Sequence, residues 1–395
     1  MNLRWLSLTV TVCLMASFSL ANDWPHWRGP DYNGISTETD WNPQALNEKK
    51  ILWDAELGIG YSAVSVADGK VYTMGNIDKK TDVVYCFDAK TGKELWRYEY
   101  AEDLNPKYYE GGCSATPTVS DGKVYTVSKT AKIFCLDANT GDVIWKKQPP
   151  YDAPTWGFAT SALVLGDKVI FNMGKSGMAL NKMTGDVIWK SDNGKCGYAT
   201  PVPFKQGETE MVAIFGKDTI MGVNAATGEL RWSYPWKTQN DVNAADPIIF
   251  DNKVFITSGY GHGASLVDFS TSEPTKIWEN KNMRDQMSGP VLIDGYIYGF
   301  DDSQLACLDW KTGEQKWTET KPRKGALTAA GDKLIVIGEA GTLMIVKATP
   351  EGYQELASAE VLSGSRCWST PVLANGCIYV RNVAGHLVCV DVSGK

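Results

Sequence analysis

One pattern recurs along nearly the whole chain, and it leaves few folds open. Its clearest copy runs from Gly122 to Trp145, GKVYTVSKTAKIFCLDANTGDVIW. The runs Lys123 to Val127 and Ile133 to Leu136 are too short for helices and rich in Val, Ile, Tyr and Phe, so they read as strands. Between Leu136 and Val143 lies Asp137-Ala138-Asn139-Thr140-Gly141-Asp142, a turn in which Asp and Thr side chains bond nearby backbone and Gly accepts a positive φ. A third strand follows and carries Trp145. Ahead of the unit, Ala115-Thr116-Pro117-Thr118-Val119 reads as an innermost strand, opened by a proline that needs no ladder donor.

Further copies end at Trp96, Trp189, Trp232, Trp278 and Trp317. The seventh keeps its strands but puts Leu356 where tryptophan is expected, and the eighth, NGCIYVRNVAGHLVCVD, lacks its last strand. Ile51-Leu52-Trp53 has the look of a last strand with no unit before it. The two halves complete each other. The expected fold is all-β: an eight-bladed β-propeller of four-stranded antiparallel blades over residues 51–395, closed by pairing the N-terminal strand with the C-terminal blade. Residues 22–50 form a lead-in. The regularly spaced tryptophans are expected to pack between blades, and the Asp-x-x-Thr-Gly turns to be turn chemistry and not metal sites.

A formal net charge of -7 and the absence of a basic stripe argue against nucleic acid as a partner. Residues 1–21 read as a signal peptide: Arg4, an apolar stretch from Trp5 to Leu20, and Ser19-Leu20-Ala21 as cleavage site. Cys13 lies within it, but Val12 is too large for a lipoprotein signal. The mature chain is expected to start near Asn22, to be periplasmic or secreted, and to keep no transmembrane segment. Cys86, Cys135, Cys307 and Cys389 hold one place in four units and should be small buried residues. Cys113, Cys196 and Cys367 precede innermost strands near the channel, where a Cys113–Cys367 pairing is an open alternative to free thiols. No C-x-x-C exists, and His26, His262 and His386 share no ligand spacing, so no metal site is expected.

The repeat, in the forms GKVYTVSKTAKIFCLDANTGDVIW and GCIYVRNVAGHLVCVD, resembles the pyrroloquinoline-quinone (PQQ) repeat shared by quinoprotein alcohol dehydrogenases and the BamB-type assembly proteins. The opening DWPHWRGPDYNGIS resembles the lead-in of exported bacterial propellers of this kind. The resemblance implies one of two functions. A quinoprotein dehydrogenase would oxidise an alcohol or sugar with PQQ and calcium over the channel, with Asp241 or Asp285 as base. A BamB-like scaffold would need no cofactor and would bind an envelope protein or a small-molecule ligand at the channel face. The chain lacks the vicinal cysteine pair and the C-x-x-C-H haem motif of the dehydrogenases, which puts the non-catalytic binding reading first. Function is expected where the repeats disagree, at Tyr61, Cys113, Trp156, Tyr198, Lys324, Arg366 and Trp368 around the channel mouth, and in the lead-in from Trp24 to Gly34.

Overall fold

The computed structural model describes residues 22–394, so the expected signal peptide, Cys13 included, lies outside the described residues. Eight antiparallel sheets follow one another around a ring, and each blade repeats the same four-strand order. In the second blade these are Thr118–Ser120, Lys123–Val127, Ile133–Asp137 and Val143–Lys147. The two middle strands of each blade are almost wholly buried, whereas the outermost alternates, as a strand with one wet face should. Closure is as the sequence implies: Ile51–Glu56 pairs antiparallel with His386–Asp391 and completes the eighth blade. Among the described residues, no helix is long and apolar enough to cross a membrane.

The tryptophans are the joints between blades. Trp53, Trp96, Trp145 and Trp189 donate their indole N–H to the carbonyls of Ala89, Ala138, Lys182 and Ala225, at 2.9–3.1 Å, each in the next blade's turn. The ring lies against the turn glycine: a Cβ on Gly185 would sit 2.8 Å from Trp145, and its φ of +78° at Gly141 or +72° at Gly185 already excludes most side chains. The turn itself is held as expected, Asp137 Oδ1 accepting from the backbone of Asn139 and Thr140. Cys86, Cys135, Cys307 and Cys389 prove to be the cross-strand partners of Trp96, Trp145, Trp317 and Trp53. The same place is taken by Ala179, Gly222 and Leu266 opposite Trp189, Trp232 and Trp278. Cys113, Cys196 and Cys367 are also free and buried, so no Cys113–Cys367 disulfide forms.

Two joints differ, each for a visible reason. The fifth unit has no turn glycine, and its Phe269 stacks on Trp232 with centroids 4.5 Å apart. Gln206 takes the Phe269 carbonyl instead, leaving the Trp232 N–H without a partner. At the seventh blade, the short helix Pro43–Glu48 covers Leu356, with Leu46 fully buried in the same cluster.

The lead-in fills the channel. Trp24 bridges Val66 in the first blade, Pro25 accepts from Val119 in the second, and the Tyr32 hydroxyl donates to Val164 in the third. Trp27 bonds Asp246 of the fifth blade, Arg28 the carbonyls of Gly289 and Pro290 in the sixth. Ile35–Ser36 pairs with Ala329 and Ala330 of the seventh, and Ser36 donates to Leu373 of the eighth. A segment bonded to seven of the eight blades turns the channel into a blind well.

Candidate functional site

The well opens on the face formed by the connections from each outermost strand to the next innermost one. Its floor is a girdle of side-chain oxygens at the start of successive innermost strands. Ala63 N–H donates to Thr116 Oγ1, Thr116 N–H to Ser161 Oγ, Ser161 N–H to Thr200 Oγ1 and Thr200 N–H to Asp246 Oδ1, all at 2.8–3.1 Å. The first five blades are thereby tied each to the next. The sixth blade breaks the series with Gly289, whose φ of +70° and missing Cβ leave room for the Arg28 guanidinium. Arg28 is buried beside Asp246, 4.0 Å away, and its Nε has no hydrogen-bond partner.

Burial governs the charges of this floor. It pushes the Asp246 carboxyl up to about 6, against the pull of Arg28 and the Trp27 indole N–H. Burial also raises Asp285 although Ser288 and two backbone N–H groups bond its carboxylate. His26 stacks on Tyr32 at 3.9 Å and is held down to about 4 by burial.

Above the floor lies a cavity of about 1060 Å³, counting the open solvent at its mouth. Its walls are aromatic: Trp27, Tyr61, Tyr109, Trp156, Tyr198, Tyr260 and Trp368. The connection Leu104–Gly112 of the first blade arches over it. From this strap Tyr109 reaches across to the Tyr260 hydroxyl at 3.2 Å and meets Trp368 edge-on at 5.4 Å. Burial works against ionisation of Tyr109, but donors from Tyr260 and Gln286 with Lys324 and Arg366 nearby bring its phenol below the usual value. Lys324 and Arg366 lie over the Trp368 ring at 4.8 and 4.7 Å. Arg366 pairs with Glu110 at 3.2 Å, and Glu110 also accepts from Tyr61 at 2.5 Å.

Four residues singled out from sequence thus meet in one network, Tyr61 and Trp368 with Lys324 and Arg366, and two more, Trp156 and Tyr198, pair at 5.9 Å on the facing wall. Cys113 is buried behind the wall and does not line the cavity. Asp241 stands outside, 3.6 Å from Lys217, and Asp285 is sealed under the floor, so neither reaches the cavity as a base would. Trp27 in the lining and Arg28 beneath it come from the lead-in singled out from sequence, whereas Lys129 and Tyr260 were not among the expected residues. Lys129 and Tyr260 lie in hairpins between middle strands, and the signal for them is a departure from the repeat at those hairpin positions.

The acidic side chains around the well are already engaged with protein partners. Calcium needs several hard oxygens converging on one point. Among the described residues no three His, Cys, Asp or Glu side chains converge in that way. Glu110 is spent on Arg366 and Tyr61, Asp246 on Trp27 and Thr200, Asp285 on its own loop. The orphan polar atom of the floor, Arg28 Nε, is a donor and repels a cation.

A profile of the family described as outer membrane protein assembly factor BamB matches residues 44–192 and 79–319. This chain belongs to that family. The BamB protein of Yersinia pestis is 22% identical over 314 residues, covering 78% of this chain and 69% of that protein. The crystal structure of BamB from Moraxella catarrhalis superposes with a TM-score of 0.65 at 16% identity, covering 87% of this chain and 97% of that one. A quinohemoprotein alcohol dehydrogenase from Comamonas testosteroni gives a TM-score of 0.69 at 14% identity, over 95% of this chain and 81% of that one. Membership in the BamB family and likeness to a quinoprotein agree on one PQQ-repeat propeller. At such identities the structural likenesses carry the fold alone.

Proposed function

We propose that this chain is an exported, non-catalytic binding propeller of BamB type that engages an envelope protein across its channel mouth. The observation that carries the reading is the make-up of the mouth: Glu110 is committed to Arg366 and Tyr61, and aromatic side chains with Lys324 and Arg366 gather around the opening. Tyr108, on the strap, is 91% exposed beside Trp156. An exposed tyrosine with half-buried tryptophan and arginine around a well is the kind of anchor set that protein interfaces use. The names of the BamB relatives supply the kind of partner, a component of outer-membrane protein assembly.

The test is site-specific photo-crosslinking in envelope preparations of the producing cell. A photoreactive residue at Tyr108 should trap an outer-membrane assembly protein, and one at Leu95, on the outer rim of the first blade, should not. The adduct should vanish when Trp156, Arg366 and Trp368 are changed together to alanine. Equal trapping at both positions overturns the mouth as interface. Dye-linked alcohol oxidation by the purified protein with PQQ and calcium would overturn the non-catalytic reading in favour of a dehydrogenase. N-terminal sequencing of protein from the envelope fraction should begin near Asn22.

A further inference from the structure

The cavity beneath the strap holds a buried cation with no ion-pair partner among the described residues, Asp82 and Glu102 acting on it only from beyond contact distance. Lys129 is 8% exposed and lines the cavity. Its ammonium donates only to the carbonyls of Leu104 and Asn105, both at 3.3 Å, and no carboxylate stands within ion-pair distance among the described residues. Burying an ammonium group on two long bonds to neutral acceptors is costly, and an anion from outside would offset that cost. Burial accordingly lowers the Lys129 amine.

A second set of unspent groups lies below it. Ser161 Oγ and Thr200 Oγ1 each accept a backbone N–H from the neighbouring blade, yet among the described residues their own hydroxyl protons reach no protein acceptor and the Ser114 hydroxyl makes no protein hydrogen bond. The walls above are aromatic faces, Trp156 set edge-on to Tyr198 at 5.9 Å and Tyr61 roughly parallel to Trp368 at 6.1 Å.

We propose that this cavity binds an acidic saccharide, a pyranose carrying a carboxylate. The carboxylate pairs with Lys129, ring hydroxyls accept from Ser114, Ser161 and Thr200, and the C–H face of the sugar lies on the aromatic wall. An acid without hydroxyls would meet Lys129 and the rings but leave a row of buried hydroxyl donors unmatched. A neutral sugar would leave the ammonium alone. The proposal rests on the reading of the mouth as a binding site and names a small ligand for the space under the protein-facing rim.

Titration of the purified protein, followed by tryptophan fluorescence and calorimetry, tests it with D-glucuronate, a glucuronate-containing oligosaccharide, D-glucose and benzoate. Glucuronate should bind saturably and at least tenfold more tightly than glucose or benzoate. Stronger binding of the oligosaccharide marks a glycan as source, and equal binding a free sugar acid; either supports the chemistry. Lys129→Met should remove the preference for glucuronate over glucose, and Ser114→Ala, at a half-exposed position that no fold contact needs, should weaken both sugars equally. Benzoate binding as tightly as glucuronate, or no saturable binding of either sugar, overturns the proposal. If the sugars fail while crosslinking through Tyr108 persists, only the saccharide falls; if both fail, the mouth is not a binding site.

Discussion

His26 and Asp246 are buried in the same plug-and-floor region, yet they respond to acid in opposite senses. Folded His26 titrates near 4, against 6.5 for the free side chain. Between these values the unfolded chain carries a proton that the folded one refuses, so the His26 contribution is present at neutral pH and is lost as pH falls from about 6.5 to 4, about 3 kcal/mol in all. Asp246 is raised from 3.8 to about 6. There the folded chain holds the extra proton, and stability is lost as pH rises through the same window, by a similar amount. The two nearly cancel. Replacing His26 by glutamine should therefore make the protein gain stability relative to wild type as pH drops from 6.5 to 4, by about 3 kcal/mol in urea midpoints corrected for slope. Parallel curves for the two proteins would remove His26 from the account. Nothing in the spacing of three histidines announced this, because burial in the lead-in depends on contacts with blades hundreds of residues away.

The joint between blades is the element that repeats, and its exceptions are informative. Trp145 spends its indole N–H on Lys182, whereas the Trp232 N–H is buried without a partner. Changing tryptophan to phenylalanine at both positions removes similar area, so the difference isolates the hydrogen bond. Trp145→Phe should cost about 1 kcal/mol more than Trp232→Phe, read from thermal or urea midpoints; equal costs would mean that the indole N–H adds nothing to the joint. The strands and turns of each blade were legible from sequence, since short β-branched runs and Asp-x-x-Thr-Gly turns are local signals. The partner carbonyl was not, because it is set by the neighbouring blade, and the Cys135 to Trp145 register was not, because a register shift between Val143 and Trp145 decides it. The site was half legible for the same reason. Tyr61, Trp156, Tyr198 and Trp368 stand where the units disagree. Lys129 escaped because it sits inside the best copy of the repeat, where every residue reads as scaffold.

At the scale of the whole ring, the last joint is sealed by Arg381. It is 1% exposed and donates to the carbonyls of Met74 at 2.6 Å and Gly58 at 3.0 Å, binding the eighth blade to the first. Burial brings its guanidinium down to about 10, so it stays charged at neutral pH. Arg381→Met keeps the stem but strands those carbonyls, and should cost about 2 kcal/mol. Amide hydrogen exchange should quicken first in Ile51–Glu56, the strand at the seam; uniform acceleration around the ring would argue against a local seal. The order of the chain gives that seam a further meaning. Ile51 finds its ladder partner in Val390, and at roughly 5–20 residues per second of synthesis the partner strand follows on the order of tens of seconds later. Throughout that interval the closing strand is an unpaired edge. A product cut short before His386–Asp391 never acquires the partner, so the circle locks only once that strand is made, and a shorter chain is left open to proteolysis.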